Sequence, residues 1–174
     1  MLLLVFTLMY MEIKLEHSAF TWEDVERAID LIAYNINAHG VEKFDFILAP
    51  SRGGLIPATM LSHKLNIPLY PMWWSTRDHA DRIINEIPNQ FVNLVSLNSI
   101  KNSVLIVEDI IDSGTTVRDI VVGLRSKLGY CVNNIRAAAI VSNHDQEIAE
   151  VDYFGYSYWK NKKEIWFDFP WENI

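Results

Sequence analysis

The stretch Val104-Leu105-Ile106-Val107-Glu108-Asp109-Ile110-Ile111-Asp112-Ser113-Gly114-Thr115-Thr116 decides how the rest of the chain is read. Four apolar residues lead into two carboxylates, and a third carboxylate opens a short polar loop. An unbroken apolar run of this kind is the pattern of a strand buried on both faces, as in parallel sheets covered by helices. After Thr116 the period changes: Val117, Ile120, Val121 and Leu124 recur at helical spacing, and the helix ends near Gly129. The stretch therefore reads as strand, acidic edge, loop and helix. In open α/β sheets, ligands bind beyond the carboxyl ends of the strands, where these carboxylates fall.

Each residue type has a physical task in such a loop. Residues 112–116 would aim backbone N–H groups, hydroxyls and a helix N-terminus at one place, which makes an anion site, and Gly114 would let the backbone approach a phosphate closely. Ionised Glu108 and Asp109 only accept hydrogen bonds, so they suit the hydroxyls of a sugar or a hard cation such as Mg²⁺. A phosphate cradle a few residues from hydroxyl acceptors describes a ribose 5-phosphate site. Taken singly, Asp112 or Ser113 would be an ordinary helix N-cap after a solvated turn; the ordered combination separates the two readings.

The same residues resemble the phosphoribosyl-pyrophosphate (PRPP) motif of type I phosphoribosyltransferases, a hydrophobic strand followed by two acidic residues and Asp-[Ser/Thr]-Gly-x-Thr. The resemblance implies that Glu108 and Asp109 hold the ribose hydroxyls and assist a metal, Mg²⁺. It implies that Asp112, Ser113, Gly114, Thr115 and Thr116 hold the 5-phosphate. In the purine branch of the family the residue at Asp112 lies near the purine N7 and is the proposed general base.

Bulk properties agree with a folded domain. At 174 residues the chain is long enough for one full core, and 50% hydrophobic with 21% charged residues is the composition of a globular protein. A net charge of −7 argues against a nucleic-acid surface, which needs a basic patch. Cys131 is the only cysteine, so no internal disulfide can form and a reducing cytoplasm is expected. Met1 to Tyr10 are strongly apolar but too short to cross a bilayer, and they lack a basic flank and a small-residue cleavage site. They are expected to form an edge strand or packing segment within an N-terminal extension, residues 1–19, of a single domain spanning 1–174.

The remaining segments fit around this centre. Thr21 to Asn37 is expected to be a helix, with Thr21 as N-cap, Asp24 three residues on, and Val25, Ile29, Ile32 and Ile36 as its buried stripe. Phe44 to Ala49 reads as a strand, followed by Pro50-Ser51-Arg52-Gly53-Gly54 and another helix. This repeats the anion-loop logic: two glycines free the backbone and Arg52 adds a delocalised cation. The run resembles the pyrophosphate loop of bacterial xanthine-guanine phosphoribosyltransferases, which implies that Ser51, Arg52 and Gly53 contact pyrophosphate, often with a strained or cis peptide in the loop.

Pro68 to Trp74 is expected to be a strand, and Ser75 to Asn102 a long polar connection. Such connections are functional or disordered in compact domains, and in this family the segment is a flap over the reaction centre. Arg77 is its candidate pyrophosphate contact; Asp78 and His79 are read as a solvated loop rather than a metal site. Ile135 to Val141 reads as a buried strand ending at Ser142-Asn143-His144-Asp145, about where the 6-oxopurine branch carries a lysine. Asn143 or His144 is its nearest equivalent, and an amide that both donates and accepts does not separate a 6-oxo from a 6-amino group as sharply. The alternation in Lys163 to Glu172 suggests a short strand, and the segment resembles the C-terminal signature of the purine enzymes. That resemblance implies that Trp166 stacks on the base and that Phe167 offers backbone groups to its edge, within a hood formed by residues 142–174.

The expectation is a single α/β domain with a mainly parallel twisted sheet flanked by helices and a small hood. By resemblance it transfers ribose 5-phosphate from PRPP to hypoxanthine, guanine or xanthine, without nucleic-acid or membrane partners, as a homodimer or homotetramer. The alternatives are another base, adenine or a pyrimidine, or a PRPP-sensing regulator without catalysis.

Overall fold

The computed structural model describes residues 11–12, 19–38, 43–74, 85–97, 102–143, 151–159 and 165–172. In chain order the elements are β1 (Met11–Glu12), α1 (Trp22–Ala38), β2 (Phe46–Ser51), α2 (Leu55–Leu65), β3 (Leu69–Trp73), α3 (Asn89–Leu97), β4 (Asn102–Ile111), α4 (Thr115–Leu128), β5 (Val132–Asn143) and β6 (Tyr153–Tyr158). The strands form one sheet in the order β1-β6-β5-β4-β2-β3, and every pairing is parallel. Parallel neighbours need crossovers, and α2, α3 and α4 supply them between β2, β3, β4 and β5.

The apolar run of β4 is unbroken because both its faces are covered. Leu105 and Val107, with Ile47 and Ala49 of β2, enter a core with Val25, Ile29 and Ile32 of α1 and Ala58 and Leu61 of α2. Val104 and Ile106, with Phe46 and Leu48, enter a second core with Phe91 and Val95 of α3 and Val117, Ile120 and Leu124 of α4. Successive side chains of one strand thus serve opposite layers. Each fully buried Leu or Ile is worth roughly 1.5–3 kcal/mol, so these two layers fix the sheet on which the site stands.

Helix α1 starts on a reciprocal cap. The Thr21 N–H donates to Asp24 Oδ2 at 2.9 Å, and the Asp24 N–H donates to Thr21 Oγ1 at 3.2 Å. The helix lies close to β6 because Gly155 has no side chain: a Cβ there would stand 2.3 Å from the Cβ of Ala28.

Two segments depart from expectation. The connection over 75–102 contains α3, with Ile87, Phe91 and Val95 buried at four-residue spacing against α4. Its nine residues carry no acidic first turn and no basic last turn, so periodicity over barely two turns was its only signal. Residues 75–84 and 98–101 lie outside the described residues, and Arg77 with them. The tail is not a regular strand either. Among the described residues it makes a single parallel bridge, Asp168 to Ala19, and then turns, with the Phe169 N–H donating to Glu172 Oε2 and the Glu172 N–H to the Phe169 carbonyl, both at 3.0 Å. Pro170 has no N–H to continue a ladder. Among the described residues no helix is long and apolar enough to cross a membrane.

Candidate active site

The chain leaves β2 toward β3 on one side and leaves β4 toward β5 on the other, while β2 and β4 are themselves neighbours. The crevice where connections diverge is the usual ligand position in such sheets. Both glycine-containing loops open there, one after Ser51 and one after Ile111.

The β2 loop packs against the acidic end of β4. A Cβ on Gly53 would lie 2.0 Å from Asp109 Oδ2, and one on Gly54 would lie 2.4 Å from the Val107 carbonyl and 2.9 Å from that of Pro50. Only residues without side chains let the β2 loop sit on the acidic edge of β4. The Ser51–Arg52 peptide is cis, Arg52 is exposed, and the Ser51 hydroxyl is buried with no partner among the described residues. Neither α2 nor α4 has a side-chain cap: Gly54 and Gly114 occupy the cap positions. Gly114 has φ 75°, a left-handed conformation that an L side chain would strain.

Beyond β4, Glu108, Ile110, Ile111, Asp112, Ser113, Gly114, Thr115, Thr116 and Val117 line a cavity of about 290 Å³. Ser113 Oγ and Thr115 Oγ1 lie 3.0 Å apart, and the Asp109 carboxylate accepts from the Ile110 N–H at 2.7 Å. Burial pushes the Glu108 carboxyl well above the usual carboxylate range, and the neighbouring charge of Asp109 adds to the shift. Among the described residues no three His, Cys, Asp or Glu side chains converge as metal ligands. Two adjacent carboxylates remain, hard oxygen donors of the number and kind that suit a magnesium ion completed by water and phosphate oxygens.

Asp112 is held from two other strands. Its Oδ1 accepts from the Tyr158 hydroxyl at 2.9 Å and from Asn143 Nδ2 at 3.2 Å, and Asn143 Nδ2 also lies 3.3 Å from the Asp112 carbonyl. Asn143 and Tyr158 are both buried. In the tail, Phe167 is buried with its ring edge-on to Tyr158 at 4.9 Å, whereas Trp166 is 68% exposed.

The structure therefore brings Glu108 and Asp112 to Thr116 to one cavity, Asp109 against Gly53, and Asn143 against Asp112. Phe167 reaches that group through Tyr158. Arg77 and His144 lie outside the described residues. Tyr158 was not among the candidates read from sequence. The alternation of Tyr153-Phe154-Gly155-Tyr156-Ser157-Tyr158 could have marked β6, but not the carboxylate it reaches 46 residues away.

Two glycine-containing loops opening at the acidic end of one strand, at the switch point of a parallel sheet, give the layout of the phosphoribosyltransferase class. The chain belongs to that family: the phosphoribosyl transferase domain matches residues 20–172. It is 31% identical over 100 residues to the xanthine-guanine phosphoribosyltransferase of Idiomarina loihiensis, an alignment spanning 56% of this chain and 58% of that relative. The purine phosphoribosyltransferase of Pyrococcus horikoshii superposes with a TM-score of 0.68 at 26% identity, covering 94% of this chain and 95% of that one. The Helicobacter pylori xanthine-guanine-hypoxanthine phosphoribosyltransferase shares the fold at 18% identity, with a TM-score of 0.59 over 90% of this chain and 94% of that one.

Proposed function

We propose that the protein transfers ribose 5-phosphate from PRPP to a purine base, hypoxanthine, guanine or xanthine, releasing pyrophosphate and forming the nucleoside monophosphate. The observation that carries the reading is that the Gly53–Gly54 loop packs against Asp109 and Glu108, while Glu108 also lines the cavity formed with residues 112–117. A single molecule with phosphates at both ends of a ribose matches that arrangement.

In the reaction the bond from the sugar C1′ to the pyrophosphate oxygen breaks and a bond to a purine ring nitrogen forms. Residues 112–116 hold the 5-phosphate, with the hydroxyls of Ser113, Thr115 and Thr116 and the close backbone approach that Gly114 permits. Glu108 and Asp109 hold the ribose hydroxyls, and their charge favours the cationic sugar of the transition state. Ser51, Arg52 and Gly53, joined by Arg77, receive the pyrophosphate as negative charge builds on it. Magnesium held by Glu108, Asp109 and the substrate would supply further neutralisation of the leaving group. Trp166 stacks on the base, Phe167 meets its edge through the backbone, and Asn143 lies beside it. Asp112 takes the N7 proton as the base attacks. The same reading places the protein in the cytoplasm as a homodimer or homotetramer.

Asn143, at the position of the family's lysine, keeps adenine among the bases to be tried. Incubation with PRPP, Mg²⁺ and each of hypoxanthine, guanine, xanthine, adenine and uracil, with the nucleotide identified by mass, tests the proposal. A monophosphate from a 6-oxopurine is expected; nucleotide from adenine or uracil alone corrects the base, and none from any base overturns the enzyme reading.

A further inference from the structure

We infer that Tyr158 is a positioning residue for Asp112, assisted by Asn143, and that it couples the carboxylate to the tail that carries the base platform. The inference rests on the proposed role of Asp112 as proton acceptor.

Asn143 and Tyr158 are register partners on the adjacent strands β5 and β6, so their side chains leave the sheet side by side. Both are 4% exposed, and both donate to the same oxygen, Asp112 Oδ1, at 3.2 and 2.9 Å. Donors from two strands onto one oxygen restrict the rotation of the carboxylate, and hydrogen bonds to a charged acceptor are the stronger kind. Asn143 also approaches the Asp112 carbonyl at 3.3 Å, which ties backbone and side chain of that residue to β5. The pull on Asp112 thus comes from strands that the 112–116 loop does not itself contain.

The ring of Tyr158 does a second task. Its edge-on contact with Phe167, at 4.9 Å and 68°, braces the residue next to Trp166. One buried side chain therefore touches the proton acceptor with its hydroxyl and the tail with its ring. A phenylalanine would satisfy the ring contact alone. A buried hydroxyl is costly unless bonded, and this one donates to the carboxylate at 2.9 Å. Proton transfer needs hydrogen-bond reach to the proton, and misplacement by about 1 Å can cost about 10²-fold in rate. Removing one of two such donors should cost less, about tenfold.

The test is a cycle of Tyr158→Phe, Asp112→Asn and the double variant in the full chain, with kcat and the PRPP KM measured for each. Tyr158→Phe should lower kcat about tenfold and leave the PRPP KM within about twofold. In the Asp112→Asn background it should cost nothing more, because the group it positions is gone. A full, independent loss in the double variant, or an unchanged kcat in Tyr158→Phe, overturns the inference while leaving the role of Asp112 standing. Full turnover in Asp112→Asn removes that role, and the inference with it. Asn143→Ala run through the same cycle decides the matter if Tyr158→Phe does not fold.

Discussion

The two glycine-containing loops of this domain are built by opposite means. The loop after β2 is defined by what its residues lack: Gly53 and Gly54 press against Asp109 and the Val107 carbonyl so closely that an added Cβ would force a neighbour to move. The loop after β4 is defined by what its residues carry, two neighbouring hydroxyls 3.0 Å apart and a carboxylate held from β5 and β6. The first can be damaged by adding one carbon. The second is damaged by removing one donor, even from a strand far along the chain. A common position at the strand ends therefore conceals two kinds of fragility, steric in one loop and hydrogen-bonded in the other.

The sharpest way to break this contrast is alanine at the two neighbouring glycines. At Gly53 the added carbon meets the far end of the Asp109 side chain, which can swing away. PRPP affinity should fall about 100-fold or more while the thermal midpoint moves little, the loss of a well-placed charged partner being worth a few kcal/mol. At Gly54 the added carbon meets backbone oxygens, which cannot swing. That variant should lose about 1–3 kcal/mol in urea unfolding, as overpacked sites do. Equal behaviour of the two variants would remove the distinction between side chain and backbone on which the account of this loop depends.

In the second loop, Gly114→Ala forces a side chain into φ 75°. Strain of about 1–2 kcal/mol is expected, together with weaker binding of ribose 5-phosphate and unchanged binding of pyrophosphate, both read by calorimetry. Loss of pyrophosphate binding would show that the loops do not act separately.

Glu108 lies between the loops, and its raised pKa makes a signed prediction. Its folded pKa is above the unfolded value, so the folded state gives up stability as pH rises from the usual carboxylate range toward the folded pKa. Glu108→Gln removes that penalty. Its thermal midpoint should exceed that of the native protein at about pH 8 and approach it at about pH 4, while PRPP binding is weakened. A lower midpoint at both values would mean that burial does not penalise this carboxylate.

The smallest effect is expected outside both loops. Asp24→Ala removes half of the cap of α1 and should cost about 0.5–2 kcal/mol at neutral pH. The bond from the Thr21 hydroxyl holds the Asp24 carboxyl below its usual value. Its contribution is therefore present above the unfolded pKa and fades as pH falls through the folded one. Stability of the variant and the native protein should converge in strong acid, with PRPP affinity the same in both throughout.

These contrasts also explain what could be read from the chain. The β4 stretch and both loops were legible because their signals are local: a run without alternation, two carboxylates, glycines at turns. Helix α1 was legible because Thr21 and Asp24 lie within one turn of each other. Helix α3 was not, since it has no acidic first turn or basic last turn and its buried residues Phe91 and Val95 span little more than one turn. Tyr158 was invisible for a different reason. Its meaning lies in a partner 46 residues away, and only the parallel order β4-β5-β6 brings them together. The tail misled because aromatics at alternate positions look like a strand, whereas Phe167 and Phe169 turn inward around a single bridge at Asp168.

The central claim is that the two loops hold the two phosphate ends of one substrate. Calorimetric titration of PRPP, pyrophosphate and ribose 5-phosphate into Arg52→Ala and Thr115→Val, each with Mg²⁺, addresses it. PRPP should bind more weakly to both variants, pyrophosphate more weakly only to Arg52→Ala, and ribose 5-phosphate more weakly only to Thr115→Val. Weakening of both single-ended ligands by the same variant, or of neither by either, would contradict it.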